Sequence, residues 1–401
     1  MALRSAVATT LTLTVAVASG MAAMVAYPVM LPMLQVEWGL TNTEAGWIGG
    51  VFFAGYVSIV PFTANLTDHM DPRRVILAGM ALSAVAIVGF SFFASGFWSA
   101  TLWWGVLGAG FAGIYMPGLK ALSDVLPEHA RGRGVSTYTA SFPLGVALSF
   151  FICGEITTVF PWREGLRLLA LGPVMGFLLT VLALPSRPVV DKPAVRRIPF
   201  QRILSNRKLL AYMWVYAIHN VETSTMRTWL VALLTFSLST QLPDARAGAL
   251  SPPTVVVFAN LFGLTGMLIA NEFSARLPRH LVVCVIMVLS PLVGLAVGLS
   301  LSALYWQVTA LVMAYSFLAS ADTGSVNAGL IAATDADYRG AVISLHATAG
   351  SVGAFVGPVL FGFVLDLAGG ESLASAWIWA FAVLAVLLMA GPSVLWRVNR
   401  S

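Results

Sequence analysis

Apolar runs of about 20 residues, the length that crosses a bilayer as a helix, follow one another along almost the whole chain. Polar punctuation separates twelve of them, near 7–34, 45–64, 74–95, 99–123, 134–155, 163–184, 209–236, 253–272, 281–302, 305–329, 340–366 and 374–396. Only helices and closed barrels satisfy every backbone polar group inside lipid. These runs lack the alternation that barrel strands require. The pattern predicts an all-α integral membrane protein with twelve transmembrane helices. The first run is longer than the apolar part of a signal peptide, roughly 7–15 residues, and is expected to be a retained span.

Composition agrees. Hydrophobic residues make up 58% of the chain, charged residues 10%, and mean hydropathy is +0.87, whereas soluble domains carry about 25% charged residues. The net charge of +5 has a sided distribution. With the N-terminus inside, all of the 22 Lys and Arg except Arg163, Arg167, Arg227 and Arg246 fall in inner segments. That asymmetry predicts cytoplasmic N- and C-termini in the plasma membrane, and it accounts for the charge without nucleic acid. Cys153 and Cys284 form no metal spacing. No G-x-S-x-G, H-E-x-x-H or G-x-x-x-x-G-K-[ST] occurs, so neither an enzyme, a metal, a cofactor nor ATP drive is expected.

The longest polar interruption divides the spans six and six. The expected organisation is a first bundle over 1–184, a basic cytoplasmic linker over 185–208 and a second bundle over 209–401. Loops in the two halves match: Asn65 with Asn271, Pro72 with Pro278 and Arg73 with Arg279. A second set pairs Arg131-Gly132 with Arg339-Gly340, Ser136 with Ser344 and Gly145 with Gly353. Two such halves in one orientation are the parallel repeats of one large transporter class.

The loop Ala64–Arg74 carries a family signature. G-x-L-x-D-R-x-G-R-[RK] is the inner loop of the major facilitator superfamily, and here Leu66, Asp68, Arg73 and Arg74 are kept. Ala64, His69 and Asp71 replace the first Gly, the first Arg and the second Gly. The chain resembles that superfamily over essentially its whole length. The resemblance implies two pseudo-symmetric six-helix bundles and transport of a small solute. It also implies an inner latch of Asp68, Arg73 and Arg74, with Asp124 as a partner for the arginines; the alternative is that all four are cap and topology residues. Trp104 stands where many proton-driven members have Arg. The fifth span lacks G-P-x-x-G-G, which speaks against one drug-antiporter group.

The seventh span holds His219, Glu222 and Arg227, and an ionised side chain at a helix centre costs roughly 2.5–3.5 kcal/mol on insertion scales. Counted from Leu209, His219 and Glu222 are central and Arg227 is near the outer edge. His219 and Glu222, spaced i to i+3, can touch. Glu222 is the first candidate for a proton carrier with His219 as partner, against a purely structural pair. Asp322 is a second buried acid, nearer the inner side, open to pairing with a basic group on another helix or to coupling. Arg227 either attracts an anionic solute or anchors at the interface. Tyr27, Tyr115 and Asn327 are candidates for the solute path, with packing as their other reading.

The expected function is a secondary transporter of a small solute working by alternating access, coupled to protons. The expected partners are the solute, protons and the lipid bilayer, with the chain acting as a monomer. A proton-independent facilitator and a non-transporting sensor with a transporter fold are the alternatives.

Overall fold

The structure, a computed structural model, describes residues 2–186, 200–335 and 338–400, without the side chains of residues 2–5, 64, 65, 68, 200 and 245. Most of the linker expected at 185–208, and the side chain of Asp68, lie outside the described residues.

Every described element is helical. The first six expected spans correspond to α1 (Ala2–Gly20) with α2 (Ala26–Trp38), α3 (Asn42–His69), α4 (Pro72–Phe93), α5 (Phe97–Ala112) with α6 (Tyr115–Val125), α7 (Glu128–Thr139) with α8 (Ser141–Val159), and α9 (Trp162–Leu169) with α10 (Leu171–Ala183). A short α11 (Phe200–Ser205) precedes α12 (Arg207–Ser239), and α13 (Pro243–Arg246) follows it. Then come α14 (Pro252–Arg276), α15 (Arg279–Leu299), α16 (Tyr305–Ala321) with α17 (Thr323–Ala332), α18 (Arg339–Leu367), and α19 (Ala374–Leu388) with α20 (Ala390–Arg400).

Helix starts follow local chemistry. Asp71 caps α4 by accepting from the Arg73 backbone N–H at 3.0 Å, with Pro72 at the first helical position. A Pro there costs nothing, because its missing N–H would have been unsatisfied. Asn206 caps α12 through the Leu209 N–H at 3.1 Å. Gly39, at φ 61°, makes the left-handed turn between α2 and α3.

Among the described residues, nine helical stretches are long and apolar enough to cross a membrane. The three other expected spans are the ones interrupted at residues 21–25, interrupted at Asp322, or loaded with His219, Glu222 and Arg227. Broken helices at membrane depth persist only where protein or a cavity covers the freed backbone groups.

The chain forms two compact units, residues 1–30 with 51–195, and residues 31–50 with 196–401. Residues 31–50 therefore group with the second unit, which differs from the linear boundary at 184. Both units pack alike. In the first, α1 lies on α8 and α10, and α4 on α5 and α10; in the second, α12 lies on α18 and α20, and α15 on α16 and α19. The repeat extends to helix ends. Phe97 and Tyr305, Tyr115 and Thr323, and Val159 and Leu367 bound corresponding helices at the same interval that relates Gly132 to Gly340. The interruptions of the fourth and tenth spans are therefore equivalent positions, at Gly113–Ile114 and at Asp322.

Candidate functional site

The second unit encloses a network of polar side chains built on α12. Asp322 ends α16 and begins α17, and its carboxylate Oδ1 lies 2.7 Å from His219 Nδ1. His219 Nε2 lies 3.2 Å from the Thr323 hydroxyl oxygen, while that hydroxyl donates to the Ser320 carbonyl at 2.8 Å. With its one hydrogen so used, the Thr323 oxygen faces the imidazole as an acceptor. His219 is 5% exposed and Asp322 3%.

Glu222 has a different partner from the one expected. Ser290 on α15 donates to its Oε1 at 2.6 Å, and Tyr315 of α16, wholly buried, lies beside it. His219 turns to Asp322 instead, so the i, i+3 pairing does not form the hydrogen-bonded pair. The reason is geometric: the interruption of the tenth span brings a carboxylate to the imidazole. Depth counting also needed this contact. At 1.5 Å per residue, the 33-residue α12 is about 50 Å long and overhangs a hydrocarbon layer of about 30 Å. Residue numbers along it are a poor gauge of level, and His219 and Asp322 stand at one level.

A second set extends the network. The rings of Tyr216 and His346 stack at 3.8 Å between centroids with planes 17° apart, and Tyr216 and His219 are near parallel at 6.0 Å. His346 Nε2 lies 2.9 Å from Asn327 Oδ1. Close approach of α18 makes the stack possible, since a Cβ on Gly353 would fall 2.1 Å from the Ala217 carbonyl oxygen. Asn327, proposed from sequence for the solute path, is half-buried and held to His346. Tyr216, Asn220, Thr223 and Arg227 form a half-buried stripe along one face of α12, at the i, i+4, i+7 spacing of a helix.

Other expected residues fall elsewhere. Arg227 is followed by three more turns of α12 before Ser239. Tyr27 is 1% exposed and packs at 5.7 Å on Trp104, which makes it core in this structure. Trp104, at the family's arginine position, fills an aromatic cluster with Phe52 and Phe90 at 6.2 and 5.8 Å. Tyr115 is half-buried against Phe111, Phe142 and Tyr138, whose hydroxyl donates to its carbonyl at 2.6 Å. At the inner loops Asp124 lies 3.9 Å from Lys120, and Arg73 donates to the Val181 carbonyl at 3.1 Å. The Arg74 backbone N–H donates to the Asp71 carbonyl at 2.9 Å, and its side chain is exposed.

Sequence reasoning missed Ser290, Thr323, Tyr216 and His346. His346 carried a visible signal, an imidazole within an apolar run. Ser290 and Thr323 carried none, because small hydroxyl residues satisfy themselves on the preceding turn of any helix. Among the described residues no group of three or more His, Cys, Asp or Glu is arranged to share a metal ion.

The model of the Major Facilitator Superfamily matches residues 12–321. A probable sphingolipid transporter, spinster homolog 2 of Arabidopsis thaliana, is 25% identical over 46% of this chain, and the match spans only 40% of that relative's length. The benzoate transport protein of Acinetobacter baylyi is 23% identical over 86% of this chain and 80% of its own. Among solved structures, a bacterial homolog of the human lysosomal transporter Spinster, inward-facing and unoccupied, superposes with a TM-score of 0.74. It is 14% identical, and the match covers 99% of this chain and 96% of that one. At that identity the likeness concerns the fold. A family match over more than half of the residues decides the assignment: the chain belongs to the Major Facilitator Superfamily.

Proposed function

We propose that the chain is a proton-coupled secondary transporter of a small organic solute, working as a monomer by alternating access. Its six-span halves, 1–184 and 209–401, are joined by the basic linker 185–208. The sided distribution of Lys and Arg supports a plasma-membrane orientation with both termini cytoplasmic. The observation that carries the coupling is the pairing of acids in the second unit. Asp322 faces an imidazole at 2.7 Å, whereas the described hydrogen-bond partner of Glu222 is the Ser290 hydroxyl at 2.6 Å. A carboxyl group buried with hydroxyl partners is held most cheaply as the neutral acid. Glu222 is accordingly the group that carries the proton, and His219 with Asp322 is the charge pair that senses it. The polar stripe of Tyr216, Asn220, Thr223 and Arg227, with Asn327, contributes the solute path. The Acinetobacter relative, matched over most of both chains, makes aromatic carboxylates the first solute class to screen.

Purified protein in liposomes, given an imposed pH gradient, tests this. Benzoate and a panel of metabolites are added in turn, and internal pH is followed with a dye. Solute-dependent proton movement that Glu222→Gln abolishes is the expected result. Solute flux that ignores the gradient and survives the substitution would make the chain a proton-independent facilitator.

A further inference from the structure

At the end of α18 remote from Arg339, one carboxylate takes four donors from a single helix start. Asp366 Oδ1 accepts from the Asn42 backbone N–H and from Asn42 Nδ2, both at 2.9 Å. Its Oδ2 accepts from the Thr43 N–H at 2.8 Å and the Thr43 hydroxyl at 2.5 Å. Gln35 Nε2 fixes the Asn42 side chain in turn, donating to its Oδ1 at 2.8 Å. The first N–H groups of a helix lack intrahelical acceptors and present the positive end of its dipole. Asp366 thus caps α3 from 324 residues away.

The same helix start already has a local cap. Thr41 Oγ1 accepts from the Glu44 N–H at 3.2 Å, and Glu44 Oε2 accepts from the Thr41 N–H at 2.9 Å. That reciprocal pair is a capping box, and it suffices to begin a helix. Asp366 therefore does more than start α3: it attaches α3 to α18. Packing beneath the cap is close, since a Cβ on Gly46 would fall 2.1 Å from the Pro358 carbonyl oxygen, and one on Gly362 2.1 Å from that of Asn42. Trp47 meets the Phe355 ring edge-on at 4.9 Å. Along α3, residues up to Gly50 group with the second unit and those from Val51 with the first. One continuous helix is thus docked onto α18 at its start and belongs elsewhere after its second turn.

We propose that Asp366 is a releasable latch, which holds the start of α3 on α18 at the face opposite the basic loops, and that its release is a step of the transport cycle. The latch rests on the reading of the chain as an alternating-access transporter, yet it is tested without any solute. A bond set of this kind suits a latch because charge-assisted hydrogen bonds are strong when dry and exchange readily for water when exposed.

The test uses Thr228→Cys in a background of Cys153→Ala and Cys284→Ala. Thr228 is 3% exposed, and its side chain lies under Gly49. A membrane-impermeant maleimide is added to intact cells and, separately, to inverted vesicles. The latched protein reacts slowly from the Asp366 side. Asp366→Asn raises that rate about tenfold or more, since removing charge-assisted bonds worth over 1.4 kcal/mol shifts an equilibrium tenfold. Asp366→Glu restores slow reaction, and Thr43→Val raises the rate by a smaller factor. An unchanged rate in a folded, monodisperse Asp366→Asn protein would overturn the latch. Should that variant not fold, Thr43→Val and Asn42→Ala decide, as both keep the carboxylate and the local capping box; unchanged rates in both overturn it equally. Failure of proton coupling in liposomes would leave these rates untouched, so the two ideas fail separately.

Discussion

His219 Nδ1 stands 2.7 Å from Asp322 Oδ1, joining the seventh span to the interruption of the tenth. The pair is buried on both sides, and removing one partner of a buried pair costs about 3–5 kcal/mol because the other charge is left uncompensated. Asp322→Asn and His219→Gln should each lower the thermal unfolding midpoint sharply in detergent. The double variant should be more stable than the sum of the single losses predicts. Additive losses would show that the two groups do not act as a pair.

Glu222→Gln should fold normally, because the amide oxygen can still accept from Ser290 at the same place. Its proton movement should vanish while solute binding persists, as read by ligand-induced thermal shift. Ser290→Ala removes one hydrogen bond to a carboxyl group, with a stability loss of about 1–3 kcal/mol. Coupling in that variant should weaken without disappearing.

Gly353→Val should be among the most damaging substitutions in α18. Its side chain would collide with the backbone of α12 at Ala217, and overpacking a close contact costs about 1–3 kcal/mol. Separation of the two helices would also break the Tyr216–His346 stack. His346→Phe, by contrast, keeps a ring against Tyr216 and strips only the contact with Asn327. If both variants lose transport equally while both remain folded, spacing of the helices is not what the glycine provides.

Trp104→Arg should not convert this chain into a conventional proton-driven member. Trp104 is 3% exposed among Tyr27, Phe52 and Phe90, and a guanidinium there would be buried against aromatic rings. Expression and unfolding midpoint should fall further than with Trp104→Phe, a large-to-large exchange that keeps most of the packing. A well-folded Trp104→Arg protein with stronger proton coupling would refute that view.

Much of the candidate site could be read from residue types. Glu222, His219 and Asp322 stood out because ionisable side chains in apolar spans are costly. Their partners did not, since pairing depends on which helices meet. His219 and Glu222 were neighbours by helical spacing, yet the imidazole goes to Asp322 and the carboxyl to Ser290. Asp366 had no signal at all beyond an acid near a span end.

By itself the sequence determined the all-α membrane class, the number of spans, the sidedness of charge and the two-fold repeat. Those properties are carried by hydropathy and by the positions of Lys and Arg, which act locally and along one axis. Tertiary structure decided which acid meets the imidazole, how α18 approaches α12 through Gly353, and how Asp366 grips the start of α3. Such contacts join residues 100 or more positions apart. Their formation depends on helix rotation and level, and neither is written in the order of apolar and polar residues.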